Sequence, residues 1–325
     1  MIVSLILTLK NEADSLPRLL DSIAAQTRAP DEIVICDGGS TDATLKILRD
    51  CTARLPLVIV QENGANISRG RNLAIRAARG DIICSTDAGV RLAPNWLAEI
   101  VAPFERGADV VSGFFLPDPH TAFETALAAT TLPARAEIRA EKFLPSSRSV
   151  AFRKDAWQIV GGYPEWLDYC EDLIFDFALR EKNFRFVFAP NAIVYFRPRA
   201  TVRAFFKQYY HYARGDGKAN LWLVRHVIRY STYLIALPLA LALTWGAPVF
   251  GFGILLLGFF LFTFRPYTRL FSLWQPHARA EKFRALAWVP ILRVIGDVAK
   301  MLGYPVGVVW RIRAKIFVDR NIVES

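Results

Sequence analysis

Cysteine is scarce in this 325-residue sequence, and the four present, Cys36, Cys51, Cys84 and Cys170, stand far apart with no metal-ligand spacing. That excludes a disulfide-stapled fold; two of them fall in expected strands and read as buried thiols of a reducing compartment. Histidine is as sparse. His120, His211, His226 and His277 include no pair at ligand spacing, so no zinc centre is expected. The glycines form no Gly-x-Gly-x-x-Gly after the first strand and no Gly-x-x-x-x-Gly-Lys-Ser/Thr loop, which argues against a dinucleotide oxidoreductase and a P-loop enzyme. The opening Met-Ile-Val-Ser-Leu-Ile-Leu-Thr-Leu lacks a basic leader and reads as a strand, not a signal peptide. Acidic residues run out toward the C-terminus: residues 1–200 hold 23 Lys+Arg against 25 Asp+Glu, residues 201–325 hold 17 against 5. That basic excess flanks long apolar runs, which points to an anionic membrane surface and not to nucleic acid.

What is present alternates. A strand over 2–8 precedes a helix with Leu16, Leu19, Leu20 and Ile23 at helical spacing; a strand over 32–36 ends in Asp37-Gly38-Gly39-Ser40-Thr41-Asp42, and a helix with Leu45, Ile47 and Leu48 follows. A third strand, 57–60, leads to a helix capped by Ser68, and a fourth spans 81–86. Strand and helix at this pace predict a mostly parallel, doubly wound α/β sheet, Rossmann-like in layout. In such sheets ligands bind outside the carboxyl ends of strands, so Asp37 and Asp87 are expected at one crevice. A strand-end Asp also serves as a cap or turn former.

Beyond it, 94–104 reads as a helix, 110–115 as a strand, 123–140 as a helix, 145–148 as a loop beside the site and 149–152 as a strand. Glu171 and Asp172 open a helix over 173–182. Two acids there either favour the positive end of the helix dipole or do chemistry.

Thr8-Leu9-Lys10-Asn11-Glu12, Cys36 to Asp42, Gly70-Arg71-Asn72 and Thr86-Asp87-Ala88-Gly89 stand in an order and spacing that resembles the family 2 glycosyltransferases, membrane-associated bacterial type; Phe152-Arg153-Lys154, Gly161-Gly162-Tyr163-Pro164-Glu165 and Glu171-Asp172 look like that family's acceptor half. The resemblance covers roughly residues 1–215. It implies the GT-A fold and an inverting hexosyl transfer from a nucleotide-diphosphate sugar, UDP-sugar favoured, to a lipid-linked or glycan acceptor. It also implies donor binding by Thr8, Lys10, Glu12, Asp37, Arg71, Asp87 and Arg214, with Asp172 as general base and Glu171 orienting the acceptor. Asp87 matches the first aspartate of the family's Asp-x-Asp, and Gly89 replaces the second. A divalent cation, Mg²⁺ or Mn²⁺, is then implied on Asp87 with substrate phosphates and waters. Arg214 lies where processive relatives carry Gln-x-x-Arg-Trp, a string absent from this chain, so a single-sugar transfer in cell-envelope polysaccharide assembly is expected. A polyprenyl phosphate acceptor and a non-catalytic GT-A membrane adaptor are the alternatives.

The expected organisation is a GT-A domain over 1–200 (nucleotide-sugar half 1–110, acceptor half 111–200), then an amphipathic interface helix over 201–226 rich in Phe205, Phe206, Tyr209 and Tyr210. A transmembrane hairpin over 227–264 and a basic loop with interfacial or re-entrant helices over 265–325, broken near Gly303 and Pro305, complete it. The basic residues after the hairpin orient it with both ends in the cytosol. That places the chain, multi-pass, in the inner (plasma) membrane with its catalytic domain cytoplasmic.

Overall fold

A computed structural model describes residues 1–273 and 279–315. Residues 274–278 and 316–325 of the expected basic C-terminal region, with His277 and Arg320, lie outside the described residues. The chain forms two compact units: Met1–Asp118 with Glu137–Arg197, and Pro119–Ala136 with the described residues from Pro198 onward.

The first unit is built on an eight-stranded sheet of order β3-β2-β1-β4-β7-β6-β8-β5. Strands β1 (Val3–Leu9), β2 (Glu32–Asp37), β3 (Leu57–Gln61) and β4 (Ile82–Thr86) are parallel neighbours. Each is nearly all apolar because both faces are covered. Val3, Leu5, Leu7, Ile33, Ile35, Ile82 and Cys84 point to one face; there they pack with Leu16, Leu19, Leu20 and Ile23 of α1 (Leu16–Ala24), with Leu48 of α2 (Thr44–Cys51), and with Trp96 and Ile100 of α4 (Trp96–Val101). Ile6, Val34, Cys36 and Ile83 point to the other, against α3 (Ile67–Ala77). The two-residue period of a strand does the sorting. Beyond β4 the sheet is mixed: β7 (Ser149–Arg153) runs antiparallel to β4 and to β6 (Val110–Pro117), and β8 (Phe186–Phe196) runs parallel to β6 and antiparallel to β5 (Val90–Leu92). The short helix α6 (Lys154–Ile159) and α7 (Glu171–Glu181) cover this half.

Strands β5 and β8 and helix α6 have no counterpart in the sequence-based expectation. In β8 the reason is visible. Pro190 and Asn191 interrupt the apolar pattern, and the ladder absorbs them: Ser112 pairs with Phe188 while Phe114 pairs with Ile193, so 189–192 form a bulge.

In the second unit, α5 (Ala122–Thr131) packs through Ala122, Ala126 and Ala129 beside Phe205, Val289 and Leu292, and Phe123 meets Trp288 edge-on at 5.1 Å. Residues 119–136 thus belong with the C-terminal helices, where the sequence pattern had placed them in the acceptor half. Helix α8 (Val202–Lys218) lies against α12 (Arg279–Ala314), which runs unbroken past Gly303 and Pro305. Gly303 and Gly307 explain the continuity, since a Cβ on either would overlap the α8 carbonyls of Tyr210 and Arg214. The two backbones pack in contact there, as small-residue helix interfaces allow. Helix α9 (Leu223–Ser231), a π-helical turn (Thr232–Ala236) and α10 (Leu237–Gly246) form a continuous stretch of 24 residues; α11 (Pro248–Ser272) adds 25. Both are long and apolar enough to cross a membrane, and they carry exposed Trp245, Val249 and Phe250. Arg265 and Arg269, expected in a loop, form the last turns of α11.

One small motif fastens α3 to the loop before α7. Asn66 caps α3 by accepting from Arg69 N (2.9 Å) and donates to Glu165 O (2.6 Å), while Ser68 Oγ donates to Leu167 O (3.1 Å). Asn72, 2% exposed, accepts from Trp157 Nε1 (3.1 Å) and Tyr163 N (2.9 Å) and donates to Tyr163 O (2.8 Å). Asn72→Ala strands two buried donors and is expected to cost about 2–4 kcal/mol, read as a lowered urea midpoint for the first unit.

Candidate active site

Parallel pairing puts the carboxyl ends of β1, β2 and β4 on one edge: Leu9 is opposite Asp37, and Ile6 opposite Ser85. The loops after β1 and β2 interlock there. Asn11, in the left-handed region at φ 56°, accepts from Thr41 N (2.8 Å) on Oδ1 and donates its own N–H to Ser40 Oγ (2.9 Å). Asp37 is wholly buried. Its Oδ2 accepts from Gly39 N (3.1 Å) and Ser40 N (3.0 Å), and its Oδ1 from Ser40 Oγ (2.5 Å), so its carboxylate shapes the loop. Thr8 Oγ1 donates to Cys36 O (3.2 Å), Glu12 accepts from the Ser15 hydroxyl, and Lys10 is exposed at the same edge.

The charged centre is Arg71, 2% exposed on α3. Its Nη1 donates to Glu171 Oε1 at 2.6 Å and its Nη2 to Asp87 Oδ1 at 3.1 Å. The other Asp87 oxygen faces Arg148 Nε at 3.5 Å. Antiparallel pairing of Thr86 with Ser149 brings Arg148 beside Asp87, and Thr86 Oγ1 donates to Arg148 O (3.0 Å). Arg71, Asp87 and Glu171 of the expected set are therefore together, with Asp172 adjacent. Arg214 lies on α8 in the second unit. Arg148 was legible only as part of a loop beside the site; no pattern in Pro145-Ser146-Ser147-Arg148 singles it out.

Helix α7 begins under strain, since its N-cap Cys170 has φ 65°, a conformation that favours glycine. Glu171 is 6% exposed and Asp172 half-buried, with Oδ1 accepting from Leu173 N (3.0 Å). Burial raises both carboxyls above the usual range; the charge of Asp172 adds to this for Glu171, and Arg71 opposes it for both. One turn on, Asp176 is buried with Oδ2 unpartnered, and burial pushes its carboxyl well up. Tyr163 closes the floor: its ring stacks on Phe175 (4.2 Å), its hydroxyl contacts Ser147 Oγ (3.2 Å), and burial pushes the phenol up.

The donor set at Asp87 does not fit a resident divalent cation. Two guanidiniums engage its two oxygens, residue 89 brings no carboxylate, and among the described residues no group of three His, Cys, Asp or Glu is arranged to hold a metal.

Sheet order and helix layers define a GT-A fold. It is shared with mannosyltransferase PcManGT of Pyrobaculum calidifontis, solved with GDP-Man and Mn²⁺ (TM-score 0.55, 20% identity, 92% of this chain and 86% of that one). Residues 4–155 match the profile of Glycosyl transferase family 2, and residues 82–294, over half the chain, that of Glycosyl transferase family group 2. The chain belongs to glycosyltransferase family 2. It is similar to the undecaprenyl-phosphate 4-deoxy-4-formamido-L-arabinose transferase of Pseudomonas fluorescens (35% identity over 118 residues) but spans only 34% of that relative's length. Similarity to succinoglycan biosynthesis protein ExoA of Rhizobium meliloti is 26% over 223 residues, 64% of this chain and 67% of the relative.

A carboxylate base works deprotonated, so the expectation that Asp172 is the base predicts, from its raised carboxyl, activity that climbs with pH above the ordinary carboxylate range and falls as pH drops through it. Glu171→Gln removes a neighbouring negative charge and lowers the proton affinity of Asp172. The acid limb of the kcat/KM profile is expected to move to lower pH; an unmoved limb would show that the two do not titrate together.

Proposed function

We propose that this chain moves one sugar, with inversion, from a nucleoside diphosphate sugar, UDP-sugar favoured, to a lipid-linked or membrane-proximal acceptor at the cytosolic face of the plasma membrane. The observation that carries this reading is the convergence of Arg71, Asp87, Glu171 and adjacent Asp172 at the carboxyl edge of the parallel strands. Asp172 takes the proton of the acceptor hydroxyl as its oxygen bonds to the anomeric carbon; the bond from that carbon to the diphosphate breaks, and its electron pair leaves with the diphosphate. Glu171 orients the acceptor and balances Arg71. Thr8, Lys10, Glu12 and Asp37 form the nucleotide end, Asp37 through the loop it shapes, and Arg214 serves phosphate.

In this reading the unit of residues 1–118 and 137–197 carries the chemistry, 201–226 lie at the headgroup level, and α9–α10 with α11 form the hairpin. Basic residues at both hairpin ends, Arg225 and Arg229 in α9 and Arg265 and Arg269 in α11, favour a cytosolic location for both. A polyprenyl phosphate acceptor is the second reading, favoured by the 35% identity to the undecaprenyl-phosphate transferase. A phosphate is already ionised and needs no base.

Asp172→Asn decides between them. With a hydroxyl acceptor, turnover is expected to fall by about 10²–10⁴ while nucleoside diphosphate affinity holds; unchanged turnover would favour the phosphate acceptor. No transfer from any UDP-, GDP- or dTDP-sugar, with or without Mn²⁺, would make the chain a non-catalytic adaptor.

A further inference from the structure

We propose that Arg148, together with Arg71, receives the diphosphate of the donor, and that these two guanidiniums supply the positive charge that a cation would supply at an Asp-x-Asp pair. The inference rests on the sugar-transfer reading above and specifies how its leaving group is held.

Position 89 is open: a Cβ there would meet nothing within 4 Å, so space for a carboxylate exists and the chain leaves it unfilled. A cation at Asp87 alone would have to compete with Arg71 Nη2 at 3.1 Å and Arg148 Nε at 3.5 Å for the same two oxygens. The guanidiniums are better placed to accept an anion than to admit a second cation.

Arg148 is built for that use. Its guanidinium lies over the Phe196 ring at 4.5 Å and the Phe115 ring at 5.5 Å, with its side chain 20% exposed. Aromatic faces orient an arginine without consuming its donors. Among the described residues no hydrogen bond engages its Nη1 or Nη2, so the fork that matches two phosphate oxygens is open. Its carbonyl accepts from Thr86 Oγ1 (3.0 Å), and the side chain of the next residue, Ser149 Oγ, accepts from Trp96 Nε1 (2.8 Å). Arg71 lies next to Arg148, with its Nη2 on the same Asp87 carboxylate and its buried Nε without a partner among the described residues. As the anomeric carbon–oxygen bond breaks, the electron pair moves to the diphosphate oxygen. The two arginines stabilise the charge that builds there, and Asp87 holds them in register until the donor arrives.

The test uses the full chain and titrates UDP, GDP and dTDP by calorimetry in EDTA and in Mn²⁺, beside the matching monophosphates, with transfer rates under both conditions. The expected result is equal diphosphate affinity with and without metal and transfer that persists in EDTA. Arg148→Ala should weaken diphosphate binding by about tenfold or more, leave monophosphate binding nearly unchanged, and lower kcat by about 10²–10³. Arg148→Lys, which keeps the charge and loses the fork, should fall between. Thermal unfolding of each variant at the wild-type temperature separates this from a folding defect. Diphosphate binding only with Mn²⁺ or Mg²⁺, transfer abolished by EDTA, or wild-type values for Arg148→Ala would overturn the inference while leaving sugar transfer standing. No nucleoside diphosphate bound under any condition overturns both.

Discussion

The first unit depends on a guanidinium almost sealed from water. A buried, unpaired charge costs far more than any neighbour can offset, so Arg71 requires carboxylates at both ends of its fork. Asp87 comes from the end of β4 and Glu171 from the start of α7, 84 positions apart in the numbering. The pair can therefore form only when the parallel half and the mixed half of the sheet are in register. Asn72, the next residue, sets that register with neutral hydrogen bonds, fixing α3 to the Gly161–Glu165 loop that leads into α7. One helix thus handles both the structural and the electrostatic fit between halves.

The same burial dictates the state of the acids. Glu171, Asp172 and Asp176 occupy successive or one-turn-apart positions on α7, and water is too scarce there for all three to ionise. Asp176 is pushed well up by burial and by the charge of Asp172, with Arg180 opposing. Glu171 has the 2.6 Å bond to Arg71 to offset its desolvation. Asp172, less buried, keeps open access and a raised proton affinity, the properties of a base that must collect a proton and then release it.

Much of this is legible in the sequence. The strands β1, β2 and β4 are continuous apolar runs closed by polar residues, and their alternation with helical segments points to a parallel sheet. Asp87, Glu171 and Asp172 were expected together from a strand end, a helix start and the family resemblance, and the structure brings Asp87 and Glu171 onto Arg71 with Asp172 adjacent. Arg148 was not, because its meaning comes from a non-local event, the antiparallel pairing of β7 with β4, and β8 was hidden because Pro190 breaks the pattern that marks a strand. Asp37 was read as a donor contact; the buried loop bonds it makes depend on the exact turn taken by Gly38-Gly39, which composition does not report. Gly303 and Pro305 were read as a break by their helix propensities, yet close packing on α8 requires a glycine where propensity would exclude one.

Charge balance gives Gly89 a meaning beyond a lost ligand. The described centre sets Arg71 and Arg148 against Asp87, Glu171 and Asp172, and burial raises the carboxyls of Glu171 and Asp172. An aspartate at 89 would add a further negative charge, which only an additional cation could offset. With glycine there, an incoming diphosphate meets Arg148, whose carboxylate neighbour is Asp87, and Arg71, which is shared between Asp87 and Glu171. A site of this composition is self-consistent with arginines alone, and the loss of the second aspartate and the presence of Arg148 are two halves of one electrostatic arrangement.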